Sequence, residues 1–359
     1  MKRILILLLL LAVAGGLFAQ TFAGQVNAGV GMLKLADADD PTFGVIAHDN
    51  WVDGLRAQLD ARYTNDDGNV GFNARIRAMT VPDSFGSNFQ FRYAFGWLTG
   101  LDGLLKAQGG RIQTTDINGV DELWGDTIFD SYGVIGYVSP IDIFKLGLGV
   151  KSDVGLLEGK TWDDKAASIW AGLSLELPDV ADATLQLQAT KEYAQAALSF
   201  AVSALPVAID GALIVDNLND FGNTGVMDVY AHAGYDISNI GLNLAGSFSK
   251  SSAADDPFFA VGAWATLGFG NIVPRLDVVF ATGGEYDYSG LNAMNGYYSD
   301  GSYNKNMSWL AVSPAVQLQA RSNTWIEIGG LITQNLGDVV ATGGNGTSFG
   351  AFVDVKMSF

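Results

Sequence analysis

The chain has no cysteine, and only 16% of its 359 residues are charged. Without cysteine there is no disulfide scaffold. The charged fraction is low beside the ~25% of ordinary soluble domains. Basic residues are scarce: 20 Lys+Arg stand against 38 Asp+Glu, a formal net charge of −18. Such a balance gives no general attraction for phosphates, so nucleic acid is excluded as a partner. Histidine is nearly missing too. His48 lies in an HDN loop, and His232 lies in YAHAG with no serine near it. No hydrolase constellation can be assembled from these two, and the chain is not read as an enzyme. The acidic string at Asp37, Asp39 and Asp40 lacks the spacing and glycine of a calcium loop, so neither metal nor cofactor is expected. What is present is 48% hydrophobic residues, 11% aromatics and 45 glycines. That content excludes a disordered tail.

The first nineteen residues read MKRILILLLLLAVAGGLFA. Lys2 and Arg3 precede an unbroken apolar stretch, and Ala19 offers a small residue before Gln20, with Ala23 a second candidate. This is the pattern of a secretory signal peptide, assigned to residues 1–19. The apolar stretch is shorter than the ~20 residues a transmembrane helix needs. No cysteine follows it, which excludes a lipoprotein anchor. No later segment is apolar for 18 residues, so a helical membrane protein is excluded. Residues 20–359 are read as one domain.

Beyond the leader the dominant period is two. In GLRAQLDARYT, Leu55, Ala57, Leu59, Ala61 and Tyr63 share one face; Arg56, Gln58, Asp60 and Arg62 share the other. VGFNARIRA repeats the pattern, with Arg75 and Arg77 on its polar face. FQFRYAFGW places Phe89, Phe91, Tyr93, Phe95 and Trp97 together, with Arg92 opposite. A soluble β-sandwich and a membrane barrel both alternate in this way. Three features favour the barrel. Strand runs are about 9–11 residues, long enough to cross a bilayer at a tilt. Arg and Asp sit at mid-strand on the polar face. Short turns such as 65–69, 100–103 and 139–141 alternate with long loops such as 36–53, 80–87, 114–130 and 283–306. The rhythm breaks once, near Glu192, where a tight hairpin stands in for a long loop. Counting through gives an all-β, transmembrane antiparallel β-barrel of about 18 strands, or 16 if the strands around Glu192 merge.

The last residues are AFVDVKMSF, with Val353, Val355 and Met357 alternating before a terminal Phe359. This ending resembles the C-terminal β-signal of bacterial outer-membrane proteins, recognised by the barrel-assembly machinery. The resemblance implies residence in the bacterial outer membrane, with membrane lipid and that machinery as partners. Loop 114–130 carries Asp116, Asp121, Glu122, Asp126 and Asp130. By loop order and charge sign it resembles the third loop of general diffusion porins, which folds into the barrel toward a cluster of arginines. It lacks their Pro-Glu-Phe-Gly motif. Eighteen strands are instead similar to the substrate-selective porins, for whose aromatic slide Trp124 and Trp264 are candidates.

Alternation assigns Arg56, Arg62, Arg75, Arg77, Arg92 and Lys106 to one lumenal wall, with Lys145 and Lys151 further round. Glu176, Asp210, Asp228, Asp277, Glu327 and Asp354 follow later, and Arg275 is the exception among them. A basic wall would thus face a weakly acidic one, setting selectivity through the local field. The functional expectation is passive diffusion of small hydrophilic solutes through a water-filled lumen. Small inward residues (Gly71, Gly96, Gly147, Gly149, Gly172, Ala208, Gly241 and Ala245) are read as signs of an open pore. One alternative is an adhesive surface protein with a closed lumen, for which loop 283–306 and its tyrosines would serve. Another is a transporter of hydrophobic compounds, against which the polar inward faces argue. A homo-oligomer is compatible with the sequence, which carries nothing that separates trimer from monomer.

Overall fold

The computed structural model describes residues 20–34, 42–46, 56–81, 84–119, 127–152, 167–190, 193–252, 257–282, 308–336 and 347–359. The leader therefore lies outside the described residues. The strands in chain order begin with β1 (Gln20–Lys34), β2 (Thr42–Ile46), β3 (Arg56–Thr64), β4 (Val70–Val81), β5 (Ser84–Gly100) and β6 (Leu105–Ile112). The next are β7 (Ser131–Ile141), β8 (Phe144–Ser152), β9 (Ala167–Leu177), β10 (Ala181–Ala189), β11 (Ala194–Val202), β12 (Ala208–Asp216) and β13 (Val226–Ile237). The last are β14 (Ile240–Ser251), β15 (Phe258–Leu267), β16 (Ile272–Thr282), β17 (Trp309–Arg321), β18 (Thr324–Asn335) and β19 (Thr347–Ser358).

From β3 to β19 successive strands pair antiparallel, and β19 returns to pair with β1 from Gln25↔Ser358 to Lys34↔Phe349. The sheet is closed. On its other edge β1 pairs with β3 through Gln20–Asn27 and with β2 through Gly29–Leu33. β2 and β3 thus share one place in the ring, which holds 18 strand positions. β2 is a correction, since the sequence reading puts residues 36–53 in a loop. The tight hairpin between β10 and β11 is present, closed by Thr190 N–H donating to the Tyr193 carbonyl at 2.7 Å. A second correction concerns 80–87. β4 runs to Val81 and β5 begins at Ser84, so the expected long loop is largely strand. Chain ends and short turns lie at one end of the barrel. Several of these turns use left-handed backbone, at Asp102, Asp179 and Ser238 among others.

The two faces are inverted relative to a water-soluble protein. Leu148 is 65% exposed on the outside, whereas Gln186 and Asp354 are fully buried on the inside. In β10, Leu185 and Leu187 point out while Thr184, Gln186 and Gln188 point in. An apolar outer surface around a polar interior is stable only in lipid. Closure completes the case, because hydrocarbon tolerates no unpaired strand edge.

β5 departs from strict alternation. Arg75 pairs with Tyr93 but Ile76 pairs with Phe91, leaving Arg92 as the extra residue of a β-bulge. The bulge reverses the faces. Phe91 is exposed outside, while Tyr93 and Phe95 are buried inside beside Trp97. The five aromatics therefore do not share a face. Gly110 answers this strand across the β5–β6 ladder. Its φ of +134° and a Cβ position 2.3 Å from the Ala94 carbonyl oxygen leave no room for a side chain. Gly110→Ala is expected to destabilise the barrel by about 1–3 kcal/mol, read as a lower midpoint of heat-modified gel mobility.

Candidate functional site: the lumen

The segment after β6 turns into the barrel, as do the residues before β7. Ile117, Ile128 and Phe129 are buried with Ile112, Ile135 and Trp170 in one apolar cluster, which also takes in Tyr93, Phe95, Ala197 and Ile214. Trp170 stands edge-on to Phe129 with centroids 5.7 Å apart. Polar contacts hold the same segment to the wall. Lys106 Nζ donates to both Asp116 carboxylate oxygens at 2.7 and 2.8 Å, and Lys145 Nζ donates to the Asp116 carbonyl at 3.1 Å. Gln108 Nε2 donates to the Thr114 carbonyl at 2.8 Å. The Thr127 hydroxyl donates to Gln186 Oε1 at 2.7 Å, and Lys151 Nζ donates to the Ile128 carbonyl at 3.0 Å. The bonds from Lys145, Lys151 and Gln108 satisfy loop carbonyls that would otherwise be buried unpaired, and the two from lysine are charge-assisted.

Inward glycines seat this packing. A Cβ on Gly147 or Gly172 would meet the Trp170 ring at 2.7 or 2.6 Å, one on Gly149 would meet Phe129, and one on Gly71 would meet Trp97. Gly96 lies between inward Phe95 and Trp97, on the outer face. The four inward glycines make room for large side chains rather than for solvent, and Gly96 does not face the lumen, so none of the five marks an open pore. The sequence signal was there, as inward glycines beside an inward tryptophan. Its meaning depended on which strands were neighbours.

The basic residues fall into distinct states. Arg75 is bound at 2.6 Å to buried Asp60, which also accepts from the Tyr93 hydroxyl at 3.3 Å. Arg77 reaches Gln58 Oε1 at 3.4 Å. Arg62 is exposed on the inward face of β3, and Arg92 is half-buried at the bulge. The side chain of Arg56 and the residues Asp121, Glu122, Trp124 and Asp126 lie outside the described residues, as does His48. Asp130 does not line the lumen. It bonds Arg111 at 2.5 Å, and that guanidinium lies over the exposed Tyr132 ring on the outer surface.

Asp210 points inward from β12 and accepts from His232 on β13 at 2.6 Å. The other imidazole nitrogen lies 3.0 Å from Asn243 Oδ1 on β14, and the ring stacks on Trp264 of β15 at 5.3 Å and 6°. Arg275 and Asp277 pair at 2.8 Å on β16. In a ring of 18, β12–β15 lie opposite β3–β6. Sequence reading missed the His232 group because its members are spread over 54 residues and meet only across the ladder. Among the described residues no cluster of three or more His, Cys, Asp or Glu could hold a metal ion.

No protein-family model matches the chain, and no curated protein matches its sequence. Solved structures do. OprD of Pseudomonas aeruginosa superposes with a TM-score of 0.55 at 13% identity, over 95% of this chain and 96% of that one. OccAB3 of Acinetobacter baumannii gives 0.59 at 11% identity, over 95% and 100%. The anion-selective porin of Comamonas acidovorans gives 0.52 at 15%, over 95% and 99%. The fold is the porin barrel. Those alignments run nearly end to end.

The loop packing yields a direct test. Phe129→Ala removes a fully buried ring from the lumenal cluster and is expected to cost about 3–5 kcal/mol of local packing. Its readout is faster proteolytic cleavage within 113–130 of the folded barrel than in the wild type.

Proposed function

We propose that this chain is a bacterial outer-membrane channel through which small hydrophilic solutes diffuse passively. The observation that carries the reading is the inverted surface: apolar residues face lipid, and ionised side chains line the interior of a closed barrel. A polar lining along the axis offers water a path that lipid denies. The Comamonas acidovorans protein, described as an anion-selective porin, shares this fold, which supports the same class of activity. Export by the leader and assembly through the outward-facing terminal strand belong to the reading. Val353 and Met357 project from that strand, and the Phe359 ring lies against Gly24.

The proposed passage runs beside the sector of β13–β19 and β1–β4, because residues 113–119 and 127–130 pack against the side of β5–β12. Arg62, Arg77 and Arg92, with Arg56, supply its positive wall; the loop's Asp121, Glu122 and Asp126 supply the negative margin. Lys106 and Arg75 contribute little net field, since Asp116 and Asp60 neutralise them at contact distance. The dense packing around Trp170 favours a second reading, a closed barrel that acts through its outer loops.

Current through the refolded protein in a planar bilayer separates the two. Stable ohmic steps are expected from a channel, and a folded, heat-modifiable barrel that carries no current supports the closed reading. Replacing Arg56, Arg62, Arg77 and Arg92 by Gln, with Arg75 retained to hold Asp60, should shift the reversal potential in a salt gradient toward cation preference. An unchanged potential would rule out the positive wall.

A further inference from the structure

We infer that Gln186 is the positioning residue that sets the width of the passage, by fixing how far the infolded loop reaches across the lumen. The inference rests on the channel reading above and names the side chain that holds one boundary of the path. Gln186 points inward from β10 and is fully buried. Its Oε1 accepts from three donors: the Thr127 hydroxyl at 2.7 Å, Ile128 N–H at 3.2 Å and Trp170 Nε1–H at 3.3 Å. A peptide N–H and an indole N–H can only donate, so the atom they share must be the amide oxygen. Two of the three donors belong to the limb that returns from the lumen to β7, 59 and 58 residues from Gln186 in sequence.

The rest of the limb is bound on either side of this point. The Thr127 hydroxyl accepts from Phe129 N–H at 3.1 Å, and the Ile128 carbonyl accepts from Lys151 Nζ at 3.0 Å. Lys151 stands on β8, beside the strand that the limb enters, and Gln186 stands two strands further round. At the usual spacing between paired strands, Gln186 lies roughly 14 Å along the wall from β7. The outgoing limb is tied nearer home, where Asp116 binds Lys106 on β6 and its carbonyl binds Lys145 on β8. Ile128 and Phe129 also pack in the cluster around Trp170, but apolar contact is non-directional and tolerates sliding. Three bonds to one oxygen do not. The apolar cluster takes the limb out of water, and Gln186 decides where it stops.

The test compares wild type, Gln186→Leu and Gln186→Glu as refolded, heat-modifiable barrels, by single-channel current and by proteolytic cleavage within 113–130. Gln186→Leu leaves three buried donors without their acceptor, a loss relieved only when the limb moves. Cleavage should then rise about tenfold or more, and the open-channel current should fluctuate between levels. Gln186→Glu keeps an acceptor oxygen and gives up only Nε2, which bonds nothing among the described residues. It should retain the steady current and slow cleavage of the wild type, which a general loss of packing at this position would not allow. Where Gln186→Leu yields no folded barrel, Thr127→Val removes one donor from the loop side and should act in the same direction, more weakly. A folded Gln186→Leu or Thr127→Val channel with steady current at the wild-type conductance overturns the inference and leaves the channel reading standing. Absence of current in every protein, wild type included, overturns the channel reading and the pore-width role with it.

Discussion

Everything in this molecule depends on the ladder between its first and last strands. A backbone group left unpaired in hydrocarbon costs several kcal/mol, and an open edge would expose a whole row of them. Pairing of Gln25–Lys34 with Phe349–Ser358 removes that edge. The terminal residue takes part: Gly24 N–H donates to the Phe359 carbonyl at 2.6 Å, and Phe359 N–H donates back at 2.9 Å. The Phe359 ring covers Gly24, where a Cβ would lie 2.3 Å from it. Once the ring is closed, a period of two sends every second side chain to lipid and the rest to the lumen. The apolar exterior and polar interior follow from that geometry and from nothing else.

A ring of 18 strands is too wide for its inward side chains to fill, and the chain meets this unevenly. On the side of β5–β12 it folds residues 113–119 and 127–130 inward and builds a small apolar core around Trp170 and Phe129. Lysines on that wall bind the loop through its carbonyls and Asp116, so the positive charges there are consumed by structure. The opposite side carries ion pairs and the His232 group over small residues such as Ala245. Half of the interior therefore resembles a protein core, and half resembles a solvated wall. Any solute path is confined to the second half, where a single unpaired charge weighs more than it would in a uniformly lined pore.

Much of the fold was legible because lipid and closure write themselves into alternation, strand length and parity. The strand count, the hairpin at 190–193 and the inward placement of Asp60, Arg75, Arg77, Lys106 and Asp210 all follow from counting by twos. Counting fails where an extra residue enters a ladder. The bulge at Arg92 turned Tyr93, Phe95 and Trp97 inward, and no local signal in FQFRYAFGW distinguishes the bulged from the regular strand. Counting is silent on a loop residue such as Asp130, whose partner Arg111 projects from the outer face of β6.

The sequence by itself determined that this chain is a closed, lipid-facing barrel, because the two solvents on either side of a strand impose a periodicity that every residue reports. The tertiary structure alone decided which lumenal charges remain available. Asp60 reaches Arg75 from the neighbouring strand, Asp116 reaches Lys106 from an infolded loop, and Asp210 reaches His232 across a hairpin. Side-chain direction is a local property of a strand. Whether a charge is cancelled depends on a partner within about 4 Å, and that distance is set only when the ladder fixes its register and the loop finds its seat.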